Sequence, residues 1–185
     1  MKKIVVIGAG YWGNNLIRNF FQLGVLAGVY DLNSKLYAEL ERKYPGIVFY
    51  SRSEDIFLDN QINAVVIAAP AALHGSLANK ALSAGKHVFV EKPLCLNIHE
   101  GKNLKNLAEQ RDLVLMVGHL LLYHPAVKIL FDIVKNNQLG KIRYIYSNRL
   151  SLGKIRREEN ALWSFAPHDI SMILQLPLLY RASAK

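Results

Sequence analysis

Short apolar runs alternate with helix-like amphipathic segments along the first two thirds of the chain. Continuous apolar runs are typical of strands that are covered on both faces, and here they predict strands at 4–7, 25–30, 48–50, 64–68, 87–90 and 113–117. The segments between them predict helices at 14–23, 34–44, 73–84 and 98–110. Strands that alternate with helices indicate an α/β fold with a doubly wound parallel sheet, and this pattern accounts for residues 1–120.

The pattern changes after residue 120. Helices are predicted at 125–136 and 165–176, and the alternation over 142–152 predicts one long strand. A lone strand has no partner for its backbone N–H and C=O groups. Residues 121–185 are therefore expected to be the N-terminal part of a truncated substrate and dimerisation domain.

Composition narrows the class of protein. Hydrophobic residues make up 51% of the chain, which is enough to build a core. The single cysteine, Cys95, cannot form an internal disulfide, and this fits a reducing cytoplasm. Because no apolar run reaches the ~20 residues needed to span a bilayer, we expect a cytoplasmic protein without a membrane partner.

The net charge of +9 is concentrated in the last third of the chain. Residues 1–120 carry 13 basic and 10 acidic side chains, whereas residues 121–185 carry 10 and 4. This excess favours anionic partners such as sugar nucleotides, unless acids outside this chain balance it. Nucleic acid is not the expected partner, because no helix-turn-helix, zinc-finger or aromatic-ladder pattern is present.

The turn after the first predicted strand reads G-x-G-x-x-G, with glycines at Gly8, Gly10 and Gly13 and with Tyr11 and Trp12 between the last two. In a Rossmann fold the first glycine permits a tight turn, the second admits a pyrophosphate, and the third allows close packing of helix on strand. The free N–H groups of the following helix would bind the phosphates. The alternative, an ordinary glycine-rich turn, is less consistent with this strand–helix context.

Asp31 closes the second predicted strand, 18 residues after Gly13. An acid at this place hydrogen-bonds the adenosine ribose and repels a 2′-phosphate, which favours NAD over NADP. The alternative is a turn aspartate that caps the next helix, a role open also to Asn33 and Ser34.

Lys92 lies in the Glu91-Lys92-Pro93 segment that follows the fifth predicted strand. Since ligands bind beyond the carboxyl ends of parallel strands, Lys92 is expected to point into the crevice and to contact substrate or the nicotinamide ribose. A cationic nicotinamide beside it would favour proton-transfer chemistry. The alternative is a solvated lysine before a turn proline.

With the glycine motif, several segments resemble, in order, the glucose–fructose oxidoreductase / inositol dehydrogenase (Gfo/Idh/MocA) family: Ala69-Pro70, His74, Ala84-Gly85-Lys86-His87-Val88 and Glu91-Lys92-Pro93. Others resemble a bacterial subgroup that oxidises sugar nucleotides for surface-polysaccharide synthesis: Gly118-His119, Tyr123-His124-Pro125-Ala126-Val127, Arg149-Leu150, Gly153 and Trp163-Ser164-Phe165-Ala166-Pro167-His168-Asp169-Ile170. The resemblance spans residues 2–176.

The resemblance implies a Rossmann domain followed by an α/β domain whose open sheet covers the active site and often mediates dimerisation. It implies that Lys92 positions substrate and cofactor and that His168 accepts the proton of the sugar hydroxyl. The implied additions to the cofactor site, beyond the glycine turn and Asp31, are Ala69, Pro70, His74, Glu91 and Lys92. The substrate-binding set is Lys92, Arg149, Arg156, Asn160, Ser164 and His168.

Independently of the resemblance, an imidazole such as His168 titrates near neutral pH and suits alcohol deprotonation. The alternative is a helix N-terminal histidine that caps backbone groups.

Two departures from the family pattern weaken the resemblance on the substrate side. Ser164 stands where the family often has Asp or Asn, and the tail 177–185 does not resemble family sequence.

Other chemistry is not expected. The histidines show no metal-ligand spacing, and Cys95 has no activating base nearby in sequence, so a buried inert thiol is the better interpretation. The basic cluster 154–157 would approach a diphosphate or form a solvated loop. The leading hypothesis is an NAD-dependent sugar dehydrogenase, and the alternative is a truncated NAD-binding protein without turnover.

Overall fold

The computed structural model describes residues 2–150 and 160–183, with Ala161 and residues 177–183 described as backbone only. The chain divides into two compact units, Met1–Gly118 and His119–Lys185.

The first unit is built on a six-stranded parallel sheet with the strand order β3-β2-β1-β4-β5-β6. The strands are β1 Ile4–Ile7, β2 Leu26–Tyr30, β3 Val48–Phe49, β4 Ala64–Ile67, β5 His87–Val90 and β6 Leu115–Val117. Winding starts at β1, proceeds outward through β2 and β3, and resumes on the other side at β4. The predicted doubly wound sheet is confirmed, and its switch point lies between β1 and β4.

Five helices connect these strands: α1 Tyr11–Gln22, α2 Tyr37–Lys43, α3 Ser53–Leu58, α4 Ala71–Ser83 and α5 Ile98–Gln110. A 3₁₀ turn, Ser34–Leu36, precedes α2. Helix α3 was not predicted from the sequence, because a six-residue segment is too short to show a helical period. Glu54 and Asp55 in its first turn complement the helix dipole, and the fully buried Ile56 anchors it to the core.

The strand side chains explain the continuous apolar runs. Val5 and Ile7 point into one buried cluster, while Val6 between them points into a second cluster on the opposite face. Both faces of the sheet are therefore covered, and alternation along each strand selects the face rather than separating core from solvent.

The second unit contains a 3₁₀ turn, Leu120–Tyr123, and two helices, α6 Pro125–Lys135 and α7 Ala161–Ser183. The His124 ring accepts a hydrogen bond from the Ala126 N–H at 3.2 Å and caps α6, whose first residue is Pro125. Helix α7 packs on α6 and on the 3₁₀ turn.

The predicted strand over 142–152 is wrong wherever the structure describes that segment, because residues 142–150 form no strand. An extended segment becomes a strand only through backbone hydrogen bonds to a neighbouring strand, and the described part of this unit contains no such strand. Helix α7 is longer than the predicted 165–176 and includes part of the tail. No helix within the described ranges is long and apolar enough to cross a membrane.

Candidate functional site

The glycine turn between β1 and α1 has the geometry that its sequence predicts. Gly8 has a φ of +97°, and a Cβ atom there would lie 2.6 Å from the Ala68 carbonyl oxygen. A Cβ atom on Gly13 would lie 2.0 Å from the Gly8 carbonyl oxygen. Both positions therefore exclude any larger residue, the first by conformation and the second by close packing.

Gly10 differs from the other two glycines, because a Cβ atom there would meet no atom within 4 Å. Gly10 is the N-cap of α1, no side chain caps this helix, and its first turn carries no acidic residue. The beginning of α1 therefore offers backbone N–H groups and a positive dipole end beside open space, and Tyr11, next along the chain, is 89% exposed. Such an end is suited to an anion.

Asp31 follows β2 and is hydrogen-bonded on both carboxylate oxygens. One oxygen accepts from the Ala9 N–H at 2.7 Å, and the other accepts from the Asn33 N–H at 2.8 Å. Asn33, rather than Asp31, caps the 3₁₀ turn by accepting from the Lys35 N–H at 3.3 Å. Asp31 thus ties the end of β2 to the glycine turn, and each oxygen keeps acceptor capacity for a hydroxyl group.

Trp12 and Glu91 link the glycine turn to the end of β5. The indole Nε1–H of Trp12 donates to Glu91 Oε1 at 2.5 Å. Glu91 is only 9% exposed, and burial raises the pKa of its carboxyl, an effect that the indole hydrogen bond and the backbone N–H of Lys92 oppose. A Cβ atom on Gly118 would lie 3.0 Å from Glu91 Oε1, so any larger residue at this position would crowd the carboxyl.

His74 lies on α4 and is 2% exposed. Its Nδ1 lies 2.7 Å from the Pro93 carbonyl oxygen, and its Nε2 lies 2.7 Å from the Ala69 carbonyl oxygen. The ring therefore braces the loop after β4 against the loop after β5, which carries the partly buried Lys92. Pro70 is exposed and caps α4 without a side-chain hydrogen bond.

The first unit thus gathers its predicted site residues at the carboxyl ends of β1, β2, β4 and β5, which share one edge of the parallel sheet.

The predicted substrate-binding residues belong to the second unit, with the exception of Lys92. His168 and Ser164 lie on α7 and are partly buried. Asn160 precedes α7, and its side-chain oxygen accepts from the Trp163 N–H at 3.1 Å. Arg156, with the rest of the basic cluster 154–157, lies outside the described residues.

The interpretation of His168 as a helix N-terminal cap is wrong, because α7 begins at Ala161 and His168 lies two turns inside it. The cap is Asn160 instead. Pro167 consequently occupies a helix interior, where it has no N–H to donate to the preceding turn.

Arg149 makes a bidentate ion pair that was not predicted from the sequence. Its Nε and Nη2 atoms each donate to a carboxylate oxygen of Asp169 at 2.9 Å. These hydrogen bonds lower the pKa of Asp169, and the same contact raises the pKa of Arg149. The pair ties the 142–150 segment to α7 beside His168. Two residues that are 20 positions apart show no spacing rule, so only their opposite charges could have indicated it.

Burial shifts the pKa of two further residues, Cys95 and His119. Burial raises the pKa of Cys95, whose thiol donates to the Asn97 carbonyl oxygen at 3.1 Å, as expected of an unreactive thiol. The Nδ1 atom of His119 is buried without a hydrogen-bond partner in the described part of the chain, and burial lowers the pKa of this ring. Within residues 2–150 and 160–183, no group of three His, Cys, Asp or Glu side chains could hold a metal ion.

Comparison with known proteins places these features in a family. Residues 2–119 match the profile of GFO_IDH_MocA, the oxidoreductase family with an NAD-binding Rossmann fold. The chain is 32% identical over 172 residues to UDP-N-acetylglucosamine 3-dehydrogenase of Acidithiobacillus ferrooxidans, covering 92% of this chain and 53% of that protein. It is 30% identical over 165 residues to glucose-6-phosphate 3-dehydrogenase of Bacillus subtilis, covering 86% and 45%.

A solved structure of the Acidithiobacillus ferrooxidans enzyme aligns with a TM-score of 0.64 and 30% identity, over 75% of this chain and 43% of that one. The chain spans about half the length of the curated relatives it matches.

Proposed function

Since this chain belongs to the Gfo/Idh/MocA family of oxidoreductases with an NAD-binding Rossmann fold, we propose that it binds NAD along the carboxyl edge of its sheet and serves hydride transfer to or from a sugar. The observation that carries the proposal is the open, uncapped start of α1 at Gly10 beside the anchored carboxylate of Asp31. The pyrophosphate would lie on the N–H groups of α1, and the adenosine ribose would lie on Asp31.

Preference for NAD over NADP rests on Asp31. Its two oxygens are held by the Ala9 and Asn33 N–H groups, which keeps the carboxylate at the ribose position. A 2′-phosphate placed there would meet a negative charge at close range. The nicotinamide half would lie toward Ala69, Pro70, Glu91 and Lys92, at the ends of β4 and β5, and His74 would hold the two loops that carry them.

The substrate side is proposed from the resemblance and from the second unit. NAD supplies a hydride acceptor when bound. His168 would accept the hydroxyl proton as the reacting carbon of the sugar is oxidised to a ketone, with NAD as the hydride acceptor. Lys92 would orient the hydroxyl, while Ser164, Asn160, Arg149 and Arg156 would contact the sugar or its diphosphate. Residues 1–120 would form the dinucleotide-binding domain, and residues from 121 onward would belong to the substrate domain.

The substrate class follows from the relatives, which act on UDP-N-acetylglucosamine and glucose 6-phosphate. Both substrates are anionic sugars, and the excess of positive charge in residues 121–185 suits them. A nucleotide-linked sugar is the leading candidate.

A second candidate function is NAD binding without turnover. It is favoured by the 142–150 segment, which forms no strand.

Calorimetric titration of the chain with NAD and NADP tests the cofactor proposal, and Asp31→Ala is the matched variant. We expect NAD to bind, NADP to bind more weakly, and Asp31→Ala to narrow the difference. Equal binding of both cofactors by the unaltered chain would overturn the role of Asp31. Formation of NADH absorbance with UDP-N-acetylglucosamine or glucose 6-phosphate then separates the dehydrogenase from the binding protein without turnover.

A further inference from the structure

The hydrogen bond between Trp12 and Glu91 joins two segments that lie 79 residues apart in sequence. Trp12 lies in the first turn of α1, between Gly10 and Gly13 of the glycine turn, and Glu91 directly follows β5. In the sheet, β4 lies between β1 and β5. The bond therefore crosses the carboxyl end of β4, next to the switch point where ligands of such sheets lie.

Glu91 is held from several directions. Its N–H donates to the Ile67 carbonyl oxygen of β4 at 2.9 Å, and Gly118, whose own N–H donates to the Val90 carbonyl oxygen at 2.8 Å, packs against its carboxyl. A buried carboxyl needs hydrogen-bond donors to offset its lost hydration, and the Trp12 indole supplies one of them. The next peptide along the chain is that of Lys92, so whatever fixes Glu91 also fixes the start of the Lys92 segment.

Trp12 itself is 40% exposed, so one part of its ring faces solvent while its Nε1–H is committed to Glu91. The indole N–H is a donor only, and the direction of this hydrogen bond is therefore unambiguous.

We propose that Trp12 is a positioning residue for the nicotinamide half of the cofactor, because its indole N–H holds Glu91, and with it the Lys92 segment, at a fixed place across the end of β4. This inference rests on the proposed function. The adenosine half lies on the other side of the switch point, toward β2 and Asp31, and does not depend on the Trp12–Glu91 contact.

The test compares two ligands on one variant. Trp12→Phe keeps an aromatic ring and removes the N–H, and its folding is checked by thermal unfolding. We expect NAD to bind the variant about tenfold more weakly, the loss typical of one hydrogen bond to a charged group. ADP, which lacks the nicotinamide and its ribose, is expected to bind with an affinity within about twofold of that for the unaltered chain.

The outcomes are distinct. Equal losses for NAD and ADP would show a general structural role and overturn the inference, and so would unchanged affinity for both ligands. Failure of the unaltered chain to bind NAD would overturn the proposed function and the inference together. Loss of NAD affinity alone supports the inference.

Variants of Glu91 provide the rescue experiment. Glu91→Gln keeps a carbonyl oxygen that can accept the indole N–H, whereas Glu91→Ala removes the acceptor. We expect Glu91→Ala to lose NAD affinity as Trp12→Phe does, Glu91→Gln to lose less, and the double variant Trp12→Phe/Glu91→Ala to lose no more than Glu91→Ala alone. Additive losses would show that the two side chains act separately and would overturn the inference.

A spectroscopic readout is independent of binding. The chain has two tryptophans, and Trp163→Phe leaves Trp12 as the single emitter. We expect Trp12 emission to titrate with Glu91, and the titration to vanish in Glu91→Gln. Emission that does not change with pH in either protein would contradict a hydrogen bond between them in solution.

Discussion

The two units of this chain use similar apolar side chains in very different ways. In the first unit, side chains from both faces of a six-stranded sheet form two buried clusters. In the second unit, Val134 and Leu176 are the only buried hydrophobic residues among the side chains that the structure describes. The difference lies in the pairing of strands, because a paired sheet offers two flat faces for helices to cover, and residues 142–150 have no strand partner.

The same difference affects the candidate site. Asp31, His74 and Glu91 are each fixed by hydrogen bonds to backbone or side chains of other strand-end segments of the sheet. In the second unit the corresponding anchor is the ion pair between Arg149 and Asp169, which is partly exposed. On the proposed cofactor side His74 and Glu91 are buried, whereas the ion pair on the proposed substrate side is partly exposed.

The largest expected effect compares one residue type in the two units. Ile17 on α1 is fully buried, whereas Ile170 on α7 is 50% exposed. Ile17→Ala is expected to lower the free energy of unfolding by about 3 kcal/mol through lost burial and a residual cavity. Ile170→Ala is expected to change it by less than about 0.5 kcal/mol. Urea unfolding measures both values, and equal losses would contradict the difference in burial between the two units.

The second prediction compares two glycines within the first unit. Gly13→Ala places a Cβ atom 2.0 Å from the Gly8 carbonyl oxygen, and we expect it to cost about 2 kcal/mol of stability as β1 and α1 move apart. Gly10→Ala meets no atom within 4 Å and is expected to leave the melting temperature nearly unchanged while weakening NAD binding. Thermal unfolding and calorimetry on both variants check this, and an unfolded Gly10→Ala protein would contradict it.

The third prediction concerns the anchor of the second unit. Because Arg149 lowers the pKa of Asp169, the pair stabilises the folded state above the ordinary Asp pKa, and this stability is lost as pH falls through the lowered pKa. Asp169→Asn should lower the free energy of unfolding by about 1 kcal/mol at neutral pH, as urea unfolding measures. Glu39→Gln, which breaks a fully exposed ion pair with Lys43, is the control and should change nothing.

The smallest expected effect is a gain in stability, whereas the preceding substitutions are expected to cause losses. Burial raises the pKa of Glu91, so the folded state favours the protonated carboxyl, and stability is lost as pH rises through the raised pKa. Glu91→Gln is therefore expected to raise the melting temperature at neutral pH, with the gain vanishing below about pH 4, where the acid is neutral in both states. A variant that melts lower at neutral pH would show that the charged carboxylate stabilises the fold.

The parallel sheet and the proposed cofactor edge could be predicted from the sequence because their signals are local. The apolar runs gave each of the six strands to within a few residues, and helix α5 was predicted at its observed bounds, 98–110. Gly8 and Gly13 occupy the places assigned to them, since a positive φ at Gly8 and a close approach at both leave no other choice of residue, whereas Gly10 borders open space. Helix α3 and the 3₁₀ turn Leu120–Tyr123 were missed because such short segments show no period, whereas the turn Ser34–Leu36 lies within the helix predicted over 34–44.

What the sequence determined by itself was the order of the elements, the glycine turn and the family, because each depends on residues close together in the chain. What only the tertiary structure decided were the contacts between distant segments: Trp12 with Glu91, His74 with two loops, and Arg149 with Asp169. It also decided that residues 142–150 form no strand, although their alternation is typical of one. The physical reason is the same in each case, because a hydrogen bond, an ion pair or a strand ladder requires a partner, and where that partner lies is a property of the folded chain.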